Sequence, residues 1–256
     1  MRLARLYQKG HCPAYYHLMA HLHPALAYLR PHHKEYLLSL LQRLASVFAI
    51  KIISFAIMDN HIHLLVYVPC PASLSEAEAQ SRALRLYPAG VVFSRPGSYW
   101  RQALLDISRF MKELNQRFAQ WYNRQEKTRG KVYFDRFRSV VVEEGVHAAV
   151  VSAYVELNPL KAGLEKKLGD YPWSSLRHRA GGWLLGIEEA LGLESGYYRD
   201  FLRSFEEKVR QHELSQQLWF YRGRGYFYGS EAFVRKRLEA LPFRRRIKTR
   251  EDEAIG

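Results

Sequence analysis

Residues 50–68 run Ile50-Lys51-Ile52-Ile53-Ser54-Phe55-Ala56-Ile57-Met58-Asp59-Asn60-His61-Ile62-His63-Leu64-Leu65-Val66-Tyr67-Val68. Two β-branched and aromatic runs, 50–58 and 61–68, flank Asp59-Asn60, whose side chains favour a turn by bonding their own backbone. Pro69 ends the second run. This is a strand hairpin, and the helical period takes over on both sides of it. Upstream, Tyr36, Leu37, Leu40, Leu41, Leu44, Val47 and Phe48 keep three-and-four spacing and predict a helix from about His32 to Phe48. Before that helix, Ala14 to Ala20 reads as a first strand. Downstream, Ile107, Phe110, Met111, Leu114, Phe118, Trp121 and Tyr122 predict a helix over Asp106 to Glu126, and Val132 to Val142 a further strand.

Glu143 and Glu144 favour a helix N-terminus through the macrodipole. Val146, Ala149, Val150, Ala153 and Leu157 form the stripe of that helix, which is expected to stop at Asn158-Pro159 because proline disfavours a helical residue before it. Residues 69–97 hold four of the ten prolines and read as an insertion with little core. Strand, helix, hairpin, helix, strand, helix is an α+β pattern: an antiparallel sheet with helices on one face. The remainder, after Gly181-Gly182, reads as mostly helical.

The chain has 256 residues, 48% of them hydrophobic and 25% charged, values of an ordinary globular protein that exclude a disordered or fibrous one. Charge is the unusual quantity. With 39 Lys+Arg against 25 Asp+Glu, the net charge is +14. Such an excess attracts polyanions, nucleic acid first among them, and makes cationic substrates poor partners. Two cysteines, Cys12 and Cys70, are too few for a disulfide framework or a zinc–thiolate site. The N-terminal stretch lacks the apolar centre of a signal peptide, and apolar runs break at Lys51 and Asp59, short of membrane-spanning length. The expectation is a soluble, basic protein of a reducing cytoplasm, with no membrane partner.

His61-Ile62-His63 is the first chemically informative item. Residues two apart on a strand share a face, so both imidazoles project together and Ile62 faces away. Two neutral imidazoles side by side are half of a divalent-metal site. On spacing alone, two polar residues on a solvent-facing strand is the simpler reading, and His21-Leu22-His23 repeats the spacing nearby. Tyr154 and Asn158 lie four apart and share a helix face. Asn158 offers a carbonyl oxygen to a hard cation, and Tyr154 a phenol nucleophile. Taken singly, the two also read as a border aromatic and a helix C-cap.

Together these residues resemble the REP-associated tyrosine transposases, single-tyrosine members of the histidine–hydrophobe–histidine (HUH) nucleases within the IS200-like superfamily. The resemblance is carried by Asn60-His61-Ile62-His63-Leu64-Leu65 and by Tyr154-Val155-Glu156-Leu157-Asn158-Pro159-Leu160-Lys161-Ala162-Gly163-Leu164. Gly130-Lys131-Val132-Tyr133-Phe134-Asp135-Arg136-Phe137-Arg138 and Tyr171-Pro172-Trp173-Ser174-Ser175 extend it, so that it covers about residues 10–180. It implies a ferredoxin-like antiparallel sheet with helices packed on it. It implies that His61, His63 and Asn158 bind Mg²⁺ or Mn²⁺, and that Tyr154 is the nucleophile. It implies DNA transposition: site-specific cleavage and rejoining of single-stranded or hairpin DNA, repeat palindromes included, through a 5′-phosphotyrosine. His21-Leu22-His23 falls outside the motif and reads as structural or DNA-facing. Asp135 stands where the family more often has Gln.

The reading divides the chain into a catalytic domain over 1–180, with its insertion at about 70–100, and a helical accessory region with a basic tail over 181–256. Lys112, Arg117, Arg124, Arg129, Lys131, Arg136, Arg138 and Lys161 are the expected DNA-binding residues. Arg222 to Gly229, a helix capped by Ser230, and the basic run Arg244 to Arg250 suggest further nucleic-acid contact. A monomer is favoured over a dimer, in a bacterial-type cytoplasm and associated with the nucleoid. The rival reading is a non-catalytic RNA- or DNA-binding protein on a ferredoxin-like sheet, with structural histidines.

Overall fold

A computed structural model of the chain describes residues 13–26, 28–194, 196–210 and 227–239. Its strands are β1 (Ala14–His21), β2 (Lys51–Ile57), β3 (His61–Val68), β4 (Arg138–Val142) and β5 (Phe227–Tyr228). The helices are α1 (Pro31–Val47), α2 (Glu76–Leu84), α3 (Ala89–Phe93), α4 (Gly97–Ala103), α5 (Ile107–Gln125), α6 (Val146–Lys161), α7 (Ser175–His178), α8 (Ile187–Leu191), α9 (Tyr197–Arg210) and α10 (Glu231–Glu239). The fold is mixed α+β.

The sheet order is β2-β3-β1-β4-β5, and the first four strands are antiparallel neighbours. This is the ferredoxin-like order that the motif resemblance implies. Two-residue β5 adds to β4 in parallel. Strand parity divides the sheet. Tyr16, Leu18 and Ala20 of β1 and Ile62, Leu64 and Val66 of β3 pack into one core with Leu37, Leu41 and Leu44 of α1 and Phe110, Met111, Leu114 and Phe118 of α5. Leu41 and Phe118 are wholly buried there, so Leu41→Ala should cost about 2–5 kcal/mol. On the opposite face Tyr15, Ile53, Ala56 and Leu65 meet Ala149, Ala153 and Leu157 of α6 and Tyr198, Leu202 and Phe205 of α9. In β2 the register shifts between Ile52 and Ser54, which lets Ile52 and Phe55 face the same side.

Four expectations are corrected. Helices cover both faces of the sheet, not one, because α6, α8 and α9 bury the face that carries Tyr15 and Leu65. The 69–97 insertion contributes to the core: Leu74, Ala79, Ala83 and Val92 are buried in the α1/α5 cluster, as is Trp100 just beyond, whose indole N–H donates to the Val92 carbonyl at 2.9 Å. Its prolines sit at turns and helix starts rather than excluding structure. The strand expected from Val132 begins only at Arg138; ahead of it a single bridge pairs Tyr133 with Leu22. Finally, α6 runs through Pro159 to Lys161. A proline so near the end forfeits one hydrogen bond, and the Ala162 N–H to the Asn158 carbonyl and the Leu164 N–H to the Pro159 carbonyl, both 2.9 Å, close the helix.

The wholly buried carboxylate of Glu156 fastens α6 to the chain that follows. It accepts from Ser175 Oγ at 2.6 Å and from the Tyr198 hydroxyl at 2.8 Å, and pairs with Arg179. A buried charge is tolerated only when so satisfied. Ser230 accepts from the Phe233 N–H at 3.2 Å and caps α10 as expected. The segment Arg222 to Tyr226 and the basic run Arg244 to Arg250 lie outside the described residues. Among the described residues no helix is long and apolar enough to cross a membrane.

Candidate active site

The parity that puts Ile62 and Leu64 into the α1/α5 core sends His61 and His63 to the other face, beneath α6. Register then adds two histidines from β1. His21 lies directly opposite His61, while Met19 faces His63 and brings His17 alongside diagonally. The rings touch in sequence: His21 stacks on His61 at 5.1 Å, His61 meets His63 edge-on at 4.7 Å, and His63 stacks on His17 at 5.0 Å between centroids. From α6, the Tyr154 ring meets His63 edge-on at 5.5 Å and His17 at 5.9 Å. Asn158 follows one turn later, nearly buried, its Nδ2 donating to the Tyr154 carbonyl at 2.7 Å. The proposed nucleophile and two proposed ligands are thus gathered by β3 and α6, with Asn158 on the same helix as Tyr154.

Hydrogen bonding decides what these imidazoles can do. His61 Nδ1 lies 2.6 Å from Asn60 Oδ1, and His63 Nδ1 lies 2.9 Å from His17 Nε2. When Nδ1 donates in these contacts, each proton is held there and Nε2 keeps its lone pair. A metal-binding histidine is oriented in this way. Burial keeps the rings neutral. It pushes His61 down to about 4 and His17 to about 3, with neighbouring histidines and Arg138 adding to the effect, and it holds His63 well below its ordinary value. Neutral imidazoles suit a divalent cation, and they leave its positive charge uncancelled. The two imidazoles therefore fit a divalent metal ion.

His17 is the residue that the sequence reading missed. Its signal is parity: it differs in parity from the apolar Tyr16, Leu18 and Ala20, so on a strand next to β3 it must share the His63 face. His21, expected to be structural or DNA-facing, stands on this same face. Tyr133, the nearest alternative nucleophile in the chain, is unsuited, because its hydroxyl oxygen is buried with no hydrogen-bond partner among the described residues and burial pushes its pKa up.

The expected DNA-binding residues separate by face. Arg138 pairs opposite Met19, and its charge is felt by His17 and His21. Lys161 is exposed at the end of α6, and Arg129, Lys131 and Arg136 are exposed on the segment leading into β4. Lys112, Arg117 and Arg124 ride on α5, across the sheet from the histidines, and Arg117 is bonded to Glu113 at 2.9 Å.

A second cluster brings three possible ligand atoms within 4.8 Å: His32, His33 and Glu126, at the α1–α5 junction. Here both nitrogens of His33 are occupied. The Arg30 backbone N–H donates to Nδ1 at 3.1 Å, so Nε2 carries the proton and donates to Glu126 Oε1 at 2.9 Å. A cation at Nε2 would need an imidazolate. Arg30 also reaches Glu126, at 3.7 Å. The cluster is a helix cap and an interhelical clasp.

Residues 12–80 match the model of a family described as transposase IS200 like, the superfamily that the motifs resemble. That segment contains His61 and His63 and ends before Tyr154. No curated protein matches the chain. Among solved structures, a REP-associated tyrosine transposase bound to a REP hairpin is similar, with 16% identity, a TM-score of 0.49, and coverage of 73% of this chain and 89% of that one.

Proposed function

We propose that this protein is a metal-dependent DNA transposase that cuts and rejoins single-stranded or hairpin DNA, with Tyr154 as nucleophile. The observation that carries the reading is the pair of neutral imidazoles, partly buried His61 and buried His63, each with Nδ1 beside a partner, and the Tyr154 ring against His63. His61, His63 and the amide oxygen of Asn158 would hold the ion. A divalent cation bound there supplies neutralisation of the non-bridging phosphate oxygens.

Free tyrosine is phenolate in only about one molecule in a thousand at pH 7, so the hydroxyl must lose its proton as it attacks. The Tyr154 oxygen bonds to phosphorus and the bond to the 3′ oxygen breaks. The departing oxygen takes up a proton and leaves as a free 3′-OH. One phosphate ester is exchanged for another, so reversal needs no nucleotide cofactor. The net charge of +14 and the exposed Arg138, Lys131, Arg136 and Lys161 suit a polyanion near the site. Arginine and lysine there would position the phosphates.

The test is a labelled oligonucleotide carrying a hairpin and a single-stranded flank, incubated with Mg²⁺ or Mn²⁺ and run on a denaturing protein gel. The wild type forms a covalent adduct. Tyr154→Phe keeps its ring, fold and DNA affinity and forms none. An adduct that survives in Tyr154→Phe assigns the nucleophile elsewhere; tight binding with no adduct leaves a binding protein.

A further inference from the structure

Beside the histidines lies an open groove of about 690 Å³, within the range of small-ligand sites. Its walls include His21, His23, Tyr28, Asn60 and Phe134. Tyr28 is 71% exposed and Phe134 59%, the first and third most exposed large apolar side chains among the described residues. The floor is rigid. The Leu22 N–H donates to the Asn60 carbonyl at 2.8 Å, the His23 N–H to the Val132 carbonyl at 2.8 Å, and the Phe134 N–H to the His21 carbonyl at 3.0 Å. These bonds fix the backbone beneath Phe134, and its ring and that of Tyr28 stand in water.

We propose that this groove takes one unstacked base of single-stranded DNA, next to the phosphate attacked by Tyr154; this rests on the reading of the histidine–tyrosine site given above. Three observations commit the groove to that occupant. It is continuous with the site: His21 stacks on His61, and the Asn60 side chain bonds His61 Nδ1. It is flanked by positive charge, with Lys131, Arg136 and Arg138 within four residues of Phe134 in the chain, as a phosphate backbone requires. Its edge chemistry suits a base: His23 Nδ1 accepts from the Ala25 N–H at 3.2 Å, which places the ring proton on Nε2 as a donor, and Asn60 adds an amide. Aromatic faces take any base, while these donors read its edge. A base in a duplex has both faces covered and cannot enter.

The test uses Tyr154→Phe in EDTA, so that neither cleavage nor metal is involved. The probe is a hairpin with a single-stranded thymidine flank in which 2-aminopurine is moved one position at a time. One position should change fluorescence strongly on binding. Tyr28→Ala and Phe134→Ala, both at exposed positions, should abolish that change and weaken binding roughly 5- to 150-fold, the range for loss of one base–aromatic stack. Phe134→Trp should retain both. Unchanged affinity and fluorescence in the two alanine variants, or equal signal from a fully paired duplex, overturns the proposal. The adduct assay fails or succeeds independently: stacking without an adduct leaves the groove and removes the nuclease, and an adduct without stacking does the reverse.

Discussion

Two histidine clusters lie on opposite faces of one sheet, and they differ in how many ring nitrogens the protein has already used. At the α1–α5 junction the Arg30 N–H and the Glu126 carboxylate occupy both nitrogens of His33. Under α6, among the described residues, the hydrogen-bond contacts of His61 and His63 are made through Nδ1, with Asn60 and His17. Proximity of donors is greater in the first cluster, where three atoms lie within 4.8 Å. Ligating capacity belongs to the second. A donor already spent on a backbone N–H and a carboxylate is a strut, however close its neighbours.

The sharpest way to break this contrast is to remove one ring from each cluster. His63→Ala should lower Mn²⁺ affinity by at least about 100-fold, beyond the range for outer partners of a ligand. His33→Ala should leave that affinity unchanged. Titration followed by Mn²⁺ electron paramagnetic resonance reads both, and metal binding lost with His33 but kept without His63 would exchange the two assignments.

A smaller effect is expected at His17, which touches no proposed substrate or ion and acts through His63. His17→Ala should weaken Mn²⁺ binding by about 10- to 100-fold. His17→Gln, whose amide oxygen can accept from His63 Nδ1, should recover part of the loss. A merely structural His17 would lower thermal stability in both variants and leave affinity alike in each.

How much of this was legible depended on the range of the interaction. The hairpin 50–68 and the helices on either side follow from local period and turn chemistry, and their ends moved by only a residue or so. The pairing of His61 with His63 follows from strand parity alone. His17 could not be placed from the chain, because its relation to His63 exists only once β1 lies beside β3. The helix through Pro159 was missed for a different reason. A local rule against residues before proline was outweighed by the packing of Val155 and Leu157 against the sheet and by closure through Ala162 and Leu164. In the insertion, proline count concealed Trp100, whose burial depends on α1 and α5 residues far away in the chain.

Stability should separate the clusters in the opposite order. His33 is buried against Tyr122, at 4.8 Å between rings, and caps α1. His33→Ala should therefore cost about 1–3 kcal/mol in urea unfolding, since it leaves the Arg30 N–H and Glu126 without their partner. The same substitution should leave adduct formation per folded molecule intact.

The smallest expected effect is the pH dependence of that clasp, and its sign follows from the hydrogen bonds. Burial holds the His33 pKa below its ordinary value of 6.5; Glu126 opposes this through its hydrogen bond and charge, while Arg30 and His32 reinforce it. The unfolded chain then binds a proton more readily than the folded one, so the contribution of neutral His33 is fully present above pH 6.5 and declines as the pH falls below that value. Protonation puts a proton on Nδ1, facing the Arg30 N–H, and turns an acceptor into a second donor. Glu126, held below the usual carboxylate range first by the His33 hydrogen bond, loses its contribution in the same direction at lower pH. Urea midpoints measured from pH 7.5 to 5 should fall with acidification, and His33→Leu, which carries no titrating ring, should fall less steeply over that window. Equal slopes in the two proteins would mean that the acid sensitivity arises elsewhere, with the four histidines under α6 as the next rings to substitute.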